Sequence, residues 1–432
     1  MMIATEGLNI LANKEPVVAT HVGIFDYESA EQTYHRYRSE TTTFVVSPDI
    51  QRYQRQFVQT VLENQTTIAC LVAPFGYGKT STAISVWKSC EEASLLAVPP
   101  FSCNSIAEMG QSIATALMYR LEQAGQNEAV AHVQEAFEEY LTSSAQKLAE
   151  QDAERYGINI EVALQSIEDK IKNGYLQLEA SATHLLHFLE QLVAIALDAG
   201  FKGLVVIVDE FQQFLGNINK GVITNFRTLI WGLQTRGALP LGFLITMDPD
   251  TERNLTDRGA DILHRIRNHG LYLSFSDIYT REFPRELWSR YAEAFSFVRE
   301  SQNIVDHATL EAIGQISERS DLSNGPRTVI NIFQRIATLH ATRSRSYTPC
   351  DLVDDFLTGD IRFDGDRGKI ASLVNEISSY DYIKRSPSRV ETIKLIAAFP
   401  RGCPPEVAER YGLQETYAYL FDELRGEILV EL

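Results

Sequence analysis

The segment Ala73-Pro74-Phe75-Gly76-Tyr77-Gly78-Lys79-Thr80 constrains this chain more than any other. An apolar run, Ile68 to Val72, leads into it, and a stretch of helical character, Ser81 to Ser89, leads away. Strand, glycine loop and helix in that order make a cradle for nucleotide phosphates, because loop amides and the helix N-terminus direct their N–H groups at one anion. Pro74, Phe75, Gly76, Tyr77, Gly78, Lys79, Thr80 and Ser81 form that cradle. Lys79 is placed to reach the β- and γ-phosphates of ATP, and the Thr80 hydroxyl to hold Mg²⁺. The pattern G-x-x-x-x-G-K-[ST] is broken at one position, where Ala73 replaces the first glycine. That position sets the turn, and alanine adopts it provided φ stays negative.

With 432 residues the chain is long enough for two or three domains. Its formal charge of −18 makes the surface as a whole repel nucleic acid and anionic membranes, so any DNA contact needs a local basic patch. Five cysteines, at 70, 90, 103, 350 and 403, lack metal-ligand spacing and predict reduced thiols in a cytoplasmic protein. Asn9, Asn13, Lys14 and Glu15 interrupt any apolar signal core, and no apolar run approaches the length of a membrane span. The nine histidines form no metal constellation; His184 and His187 share a helix face and are read as structural.

Downstream, short apolar strands alternate with helical patterns, which predicts a parallel α/β sheet. Helices are expected over Asp49–Leu62, Ser105–Glu122, His184–Ala199 and roughly Thr224–Gln234, and strands over Leu95–Val98, Gly203–Val208, Leu241–Thr246 and Leu271–Phe275. The run Gly203-Leu-Val-Val-Ile-Val208 is continuously apolar, as in a parallel strand buried on both faces. Residues 121–180 carry twelve acidic side chains against four basic ones and no strand pattern. The stretch from about 123 to 180 reads as a helical insertion, either a solvated hairpin or a partner-docking surface. From Tyr279 onward the pattern is helical.

Asp209 and Glu210 stand at the carboxyl end of the buried strand, where open parallel sheets bind ligands. Asp209 is the expected second metal ligand, directly or through water. Glu210 is the expected base that orients and deprotonates the attacking water in phosphoryl transfer. Thr246 ends the next strand and is the candidate polar sensor of that water, with Asp248 as the alternative. In Asp261-Ile-Leu-His-Arg265-Ile-Arg267 a helix ends in arginines, which suits a finger offered to a neighbour's γ-phosphate; Arg265 is the first choice, before Arg258 and Arg267. Asn324-Gly325-Pro326-Arg327 opens another helix and puts Arg327 in its first turn, against the helix dipole, which points to an anionic partner such as a nucleotide phosphate.

In this order the motifs resemble the AAA+ ATPases: a Walker A loop at 73–80, a Walker B strand ending in Asp209-Glu210, a sensor 1 strand ending near Thr246, an arginine-bearing helix near Arg265 and a sensor 2 Gly-Pro-Arg at 325–327. The similarity covers about 50–345, and the stretch Leu271 to Phe275 with Tyr279-Thr280-Arg281-Glu282 is similar to the approach to the lid in origin-recognition and replication-initiator ATPases. The long acidic insertion is a departure from that subgroup. The resemblance implies an α/β parallel-sheet P-loop domain with a helical insertion, followed by a helical lid and a small C-terminal winged-helix-like domain. The boundaries expected are an N-terminal arm at 1–50, the nucleotide-binding domain at 51–275, the lid at 276–345 and the C-terminal module at 346–432. In that last module Val390–Phe399, Pro405–Tyr411 and Glu415–Leu424 are the expected helices, with a wing strand at Gly426–Leu432. Its third helix offers Tyr417, Tyr419, Asp422 and Glu423, a poor set for phosphate contact; Lys384-Arg385-Ser386-Pro387-Ser388-Arg389 is the more basic patch. Two functions follow. One is a homo-oligomeric ATPase that uses Mg-ATP to switch or load a nucleic-acid-associated complex. The other is a signalling or scaffold ATPase, as in microbial defence systems, that docks protein partners through the acidic insertion or the C-terminal module without binding DNA.

Overall fold

The computed structural model describes residues 2–14, 47–172, 181–215, 220–235, 238–274, 281–318, 325–343, 345–358 and 381–423, with the single positions 35 and 361. The expected lid approach at Tyr279-Thr280, Asn324 and the wing strand at 426–432 lie outside the described residues.

Helix α1 (Met2–Ala12) comes first, then α2 (Pro48–Leu62). Ser47 caps α2 by accepting the Ile50 N–H, and Pro48 takes the first helical position, where its missing N–H costs nothing. Ile50, Tyr53, Phe57 and Val61 recur at helical spacing and are buried, which lays α2 on the sheet. Strand β1 (Thr67–Val72) follows, then α3 (Lys79–Glu92), β2 (Leu96–Ala97) and α4 (Ile106–Gln123). Helices α5 (Asn127–Tyr156) and α6 (Ile160–Lys172) form the insertion, and α7 (Ala182–Asp198) returns the chain to β3 (Leu204–Val208). A single turn, α8 (Gln212–Leu215), precedes α9 (Lys220–Thr235), β4 (Leu241–Met247), α10 (Pro249–His269) and β5 (Leu271–Ser274).

The five strands pair in the order β2-β3-β4-β1-β5, every pair parallel. Parallel strands need crossovers long enough to hold a helix, and these helices cover both faces. That is why β1, β3 and β4 are buried along their whole length. The chain leaves β1 toward β2 at one edge and returns at β5 on β1's other side, so the direction of winding switches at β1. Ligand crevices in such sheets open beyond the carboxyl ends at this switch. Register brings Val72 beside Met247 and Val208 beside Ile245, so the ends of β1, β3 and β4 converge there.

The insertion is anchored at its base. Ala129, Val133, Ala136 and Tyr140 of α5 belong to the main core. The Tyr140 ring stacks on Phe188 of α7 with centroids 5.0 Å apart, and its hydroxyl donates to the Ile106 carbonyl at 3.0 Å. Beyond Tyr140, α5 leaves the main core. Ala145, Ala149 and Ala153, on one face at intervals of four, pack with Ala163 and Ile167 of α6 in a cluster of their own. At 1.5 Å per residue α5 is about 45 Å long, and this alanine seam is what holds its outer half to α6.

The remaining helices are α11 (Phe283–Ala294), α12 (Ser301–Ile304), α13 (His307–Ser317), α14 (Pro326–Arg343), α15 (Pro349–Thr358), α16 (Asp381–Lys384), α17 (Pro387–Ala397), α18 (Pro405–Arg410) and α19 (Gln414–Glu423). Most of them gather round a second core, in which Leu8 and Leu11 of α1, Trp288 and Tyr291 of α11, Phe333 and Ile336 of α14, Leu352 of α15, and Leu395, Phe399 and Ala408 all take part. Ile383, Ile393 and Leu420 form a small cluster of their own, while helices α11, α13 and α14, the C-terminal helices α15, α17 and α18, and α1 share one apolar interior. Polar ties reinforce it: the Tyr411 hydroxyl donates to Asp306 at 2.8 Å and the Arg401 N–H donates to the Gln315 side chain at 3.1 Å. In α19 the Tyr417 hydroxyl donates to the Cys403 carbonyl at 2.7 Å, while Tyr419 stays exposed with the Arg389 guanidinium over its ring.

All five cysteines are buried and unpaired by disulfide, and burial pushes their thiols up, Cys403 to about 12. Among the described residues no histidine, cysteine or carboxylate cluster forms a metal-binding group, and no helix is long and apolar enough to cross a membrane.

Candidate nucleotide site

The glycine loop runs from the end of β1 to the start of α3. Ala73, in place of the first glycine, is fully enclosed, and its N–H donates to the Met247 carbonyl at 3.2 Å, which extends the β1–β4 ladder by one residue. Positive φ among the described non-glycine residues occurs at Asn64, Ser94, Glu210 and Ser296, so Ala73 meets the condition its side chain imposes. The left-handed positions fall instead on Gly76 (φ 86°) and Gly78 (φ 83°), where a side chain would be strained. Gly78 is the residue before α3, and no side chain caps that helix. By contrast Ser47, Ser105, Ser181, Asp248 and Asp306 cap α2, α4, α7, α10 and α13. The first amides of α3 thus keep their donors for an anion, and the helix dipole adds to their pull.

Lys79 is buried, and its ammonium donates to the carbonyls of Ala73 at 2.8 Å and Pro74 at 3.3 Å. Burial lowers its pKa, against the attraction of Asp209, Glu210 and Asp248. Those three carboxylates come from the ends of β3 and β4, which places every one of them around the same lysine.

Asp209 is wholly buried and its two oxygens are divided between two threonines. Thr80 donates its hydroxyl to Oδ2 at 2.6 Å, and Thr246 donates its hydroxyl to Oδ1. Thr246 Oγ1 also accepts the Glu210 N–H at 3.0 Å, and the Thr246 carbonyl accepts the Phe211 N–H at 2.8 Å. The end of β4 therefore fixes the backbone just past β3. Glu210 is held there at φ 51°, a conformation that costs free energy in a non-glycine residue and that persists only when surroundings enforce it. Its carboxylate is half-buried and accepts from Gln213 at 3.3 Å. The bend turns Glu210 off the strand axis, while Asp209 keeps the strand's direction toward Thr80.

Removing the Thr246 hydroxyl strands both a buried carboxylate oxygen and a backbone N–H. Thr246→Val is expected to lower stability by about 1–3 kcal/mol for the groups left unpaired, read as a drop in the urea midpoint at unchanged slope. An unchanged midpoint would show that the hydroxyl is replaceable by water.

The arginines divide. Arg327 lies at the loop: its N–H donates to the Gly76 carbonyl at 3.2 Å and its guanidinium sits 4.3 Å above the centre of the Phe75 ring. Arg265 has other partners. It is half-buried rather than exposed, because its guanidinium lies 4.4 Å over the Trp231 ring of α9 and donates to the Gln234 side chain at 3.3 Å. Arg267 pairs with Glu252 and covers Tyr272 at 4.9 Å, and Arg258 is exposed on α10. Asp248, the alternative sensor, is spent on capping α10, where it accepts the Thr251 N–H at 2.6 Å.

Sequence reasoning missed the acceptor behind Asp209, whose N–H donates to the Phe101 carbonyl at 2.7 Å. The signal was the Pro99-Pro100 pair: it ends β2 and lets Phe101 bridge to Val208.

No family model and no curated protein matches the chain. Among solved structures it is similar to the Aeropyrum pernix ORC2 protein, determined in ADPNP–ADP complexes, with a TM-score of 0.40 and 12% identity over 90% of this chain and 99% of that one. At that level the functional reading rests on the residues of the site.

Proposed function

We propose that the chain is a Mg-ATP-hydrolysing switch of the AAA+ kind, working as an oligomer. The observation that carries this reading is the Thr80–Asp209–Thr246 arrangement beside a glycine loop with uncapped helix amides. The donor set fits the ligand: backbone amides and a buried lysine for phosphate oxygens, a hydroxyl and a carboxylate for a hard divalent cation. Thr80 and Asp209 are the residues that would hold Mg²⁺, and when bound it neutralises charge on the transferring phosphate. Lys79 holds phosphate oxygens. Glu210 orients the attacking water and takes its proton, and Thr246 keeps Glu210's backbone in place. Arg327 reaches in from the lid. Arg265, released from Trp231, serves as the finger for a neighbouring subunit.

Two outputs are compatible with such a switch: acting on a nucleic-acid-associated complex, or docking protein partners without DNA. A specific surface favours the second. Tyr156, Ile158, Ile160 and Val162 are exposed together around the tip of the acidic insertion hairpin. An apolar tip with acidic neighbours is repelled by phosphate backbones and suits a protein. Binding of the full-length protein to duplex and single-stranded DNA, titrated against salt with and without ATP, separates the two. A log-linear loss of affinity with salt supports the nucleic-acid role. Negligible binding at low salt removes it. Mass by size exclusion with ADP and with a non-hydrolysable ATP analogue tests the oligomer: the analogue should raise it.

A further inference from the structure

Phosphate loops hold their ligand through backbone amides, the lysine and the hydroxyl, so the side chains at Phe75 and Tyr77 are not needed for that grip. Both are aromatic here, and both face the start of the lid helix α14. Phe75 is 56% exposed, a large apolar ring left at the mouth of a polar site. The Phe75 ring face carries the Arg327 guanidinium at 4.3 Å. Gly325 passes so close to the Tyr77 ring that an added Cβ would lie 3.1 Å from it, and Gly325 itself is left-handed at φ 57°. The Arg327 N–H donates to the carbonyl of Gly76, the residue between the two aromatics in sequence, at 3.2 Å, so one of the first amides of α14 ends on the loop itself. Three contacts of different kinds thus seat the lid helix on the phosphate loop.

We propose that Phe75 is a positioning residue, which holds Arg327 at the loop mouth and thereby lets the site tell a triphosphate from a diphosphate. The inference rests on the ATP-site reading above. A first-turn arginine is disfavoured by its helix dipole and has many rotamers. The ring face offsets both by holding the guanidinium in place before ligand arrives, and such preorganisation lowers the cost of binding. The loop amides and Lys79 would hold phosphate oxygens of either nucleotide, and the Arg327 guanidinium, brought from the lid helix, would add a second cation for the terminal phosphate that ADP lacks.

The test uses the full-length protein and measures the affinities of ADP and of a non-hydrolysable ATP analogue, both with Mg²⁺, for wild type, Phe75→Ala, Phe75→Trp, Arg327→Ala and the double variant Phe75→Ala/Arg327→Ala. Wild type should prefer the analogue. Arg327→Ala should reduce that preference about tenfold or more, and Phe75→Ala about fivefold. The double variant should match Arg327→Ala, and Phe75→Trp should keep the preference because its ring face is retained. A ring that merely stacks on the base, or supports the loop, would weaken both nucleotides alike in Phe75→Ala; that result, or additive losses in the double variant, overturns the inference while leaving the ATP site intact. Wild type that binds neither nucleotide overturns the site and the inference together. Phe75 is exposed, so thermal melts of Phe75→Ala should coincide with wild type.

Discussion

Glu210→Gln should bind ATP as tightly as wild type and turn it over about 10²–10⁴-fold more slowly, the contribution expected of a positioned general base. The substitution keeps size and removes the proton acceptor. It leaves the backbone N–H of residue 210 on Thr246 Oγ1 and so leaves the Asp209 carboxylate with both its threonines. Loss confined to the chemical step is therefore the signature of a base, and loss of binding that of a structural residue. Single-turnover hydrolysis alongside retention of labelled ATP separates them. Normal turnover in this variant would move the base to another group and remove Glu210 from the mechanism.

Lys79→Met should weaken ATP by roughly 100-fold or more, the scale for removing one partner of a buried charge pair, as read by calorimetry. Its second consequence is a pH dependence of stability. Burial is the largest influence on Lys79 and depresses its pKa from 10.5, while Asp209, Glu210 and Asp248 oppose the fall without cancelling it. A lysine whose folded pKa lies below its unfolded value destabilises the fold wherever it is charged in both states. That penalty is full below the folded pKa and fades as pH climbs toward 10.5. Methionine has no such term. The melting temperature of the nucleotide-free variant, relative to wild type, should therefore fall as pH rises from neutrality toward 10.5. The carbonyls of Ala73 and Pro74 lose a donor at every pH, so that loss shifts the offset and not the trend. A difference independent of pH would mean that Lys79 is as well solvated folded as unfolded.

What could be read from the chain, and what could not, follows from range. The loop at 74–81, the strand ending in Asp209-Glu210 and the placement of Thr246 at a strand end are patterns of neighbours in sequence, each fixed by local burial and turn chemistry. The sheet then brings Thr80, Asp209 and Thr246 within hydrogen-bonding distance, which is what parallel crossovers at a switch point do. Nothing near Arg265 in sequence shows Trp231, 34 residues earlier, whose ring takes the guanidinium of the arginine expected as a finger. The insertion at about 123–180 was legible as helical from its acidic composition and lack of a strand pattern. Its division between the main core and an alanine seam was not, since alanine fits surface and interior alike. In the same way, the C-terminal helices were expected as a winged-helix-like module of their own, and local periodicity does not show what their apolar faces meet.

They meet α11, α13 and α14, and α1 joins them. A shared interior of this kind has no slip plane among its parts, because sliding one helix set over another would open voids in close-packed apolar contacts. Helix α14 belongs to that interior and also carries Arg327 to the glycine loop. A fluorophore on the exposed residue Asn9 of α1 thus sits on the same packed core as α14, and its signal should report any displacement of α14 from the loop although sixty-odd residues of sequence separate the label from the phosphate cradle.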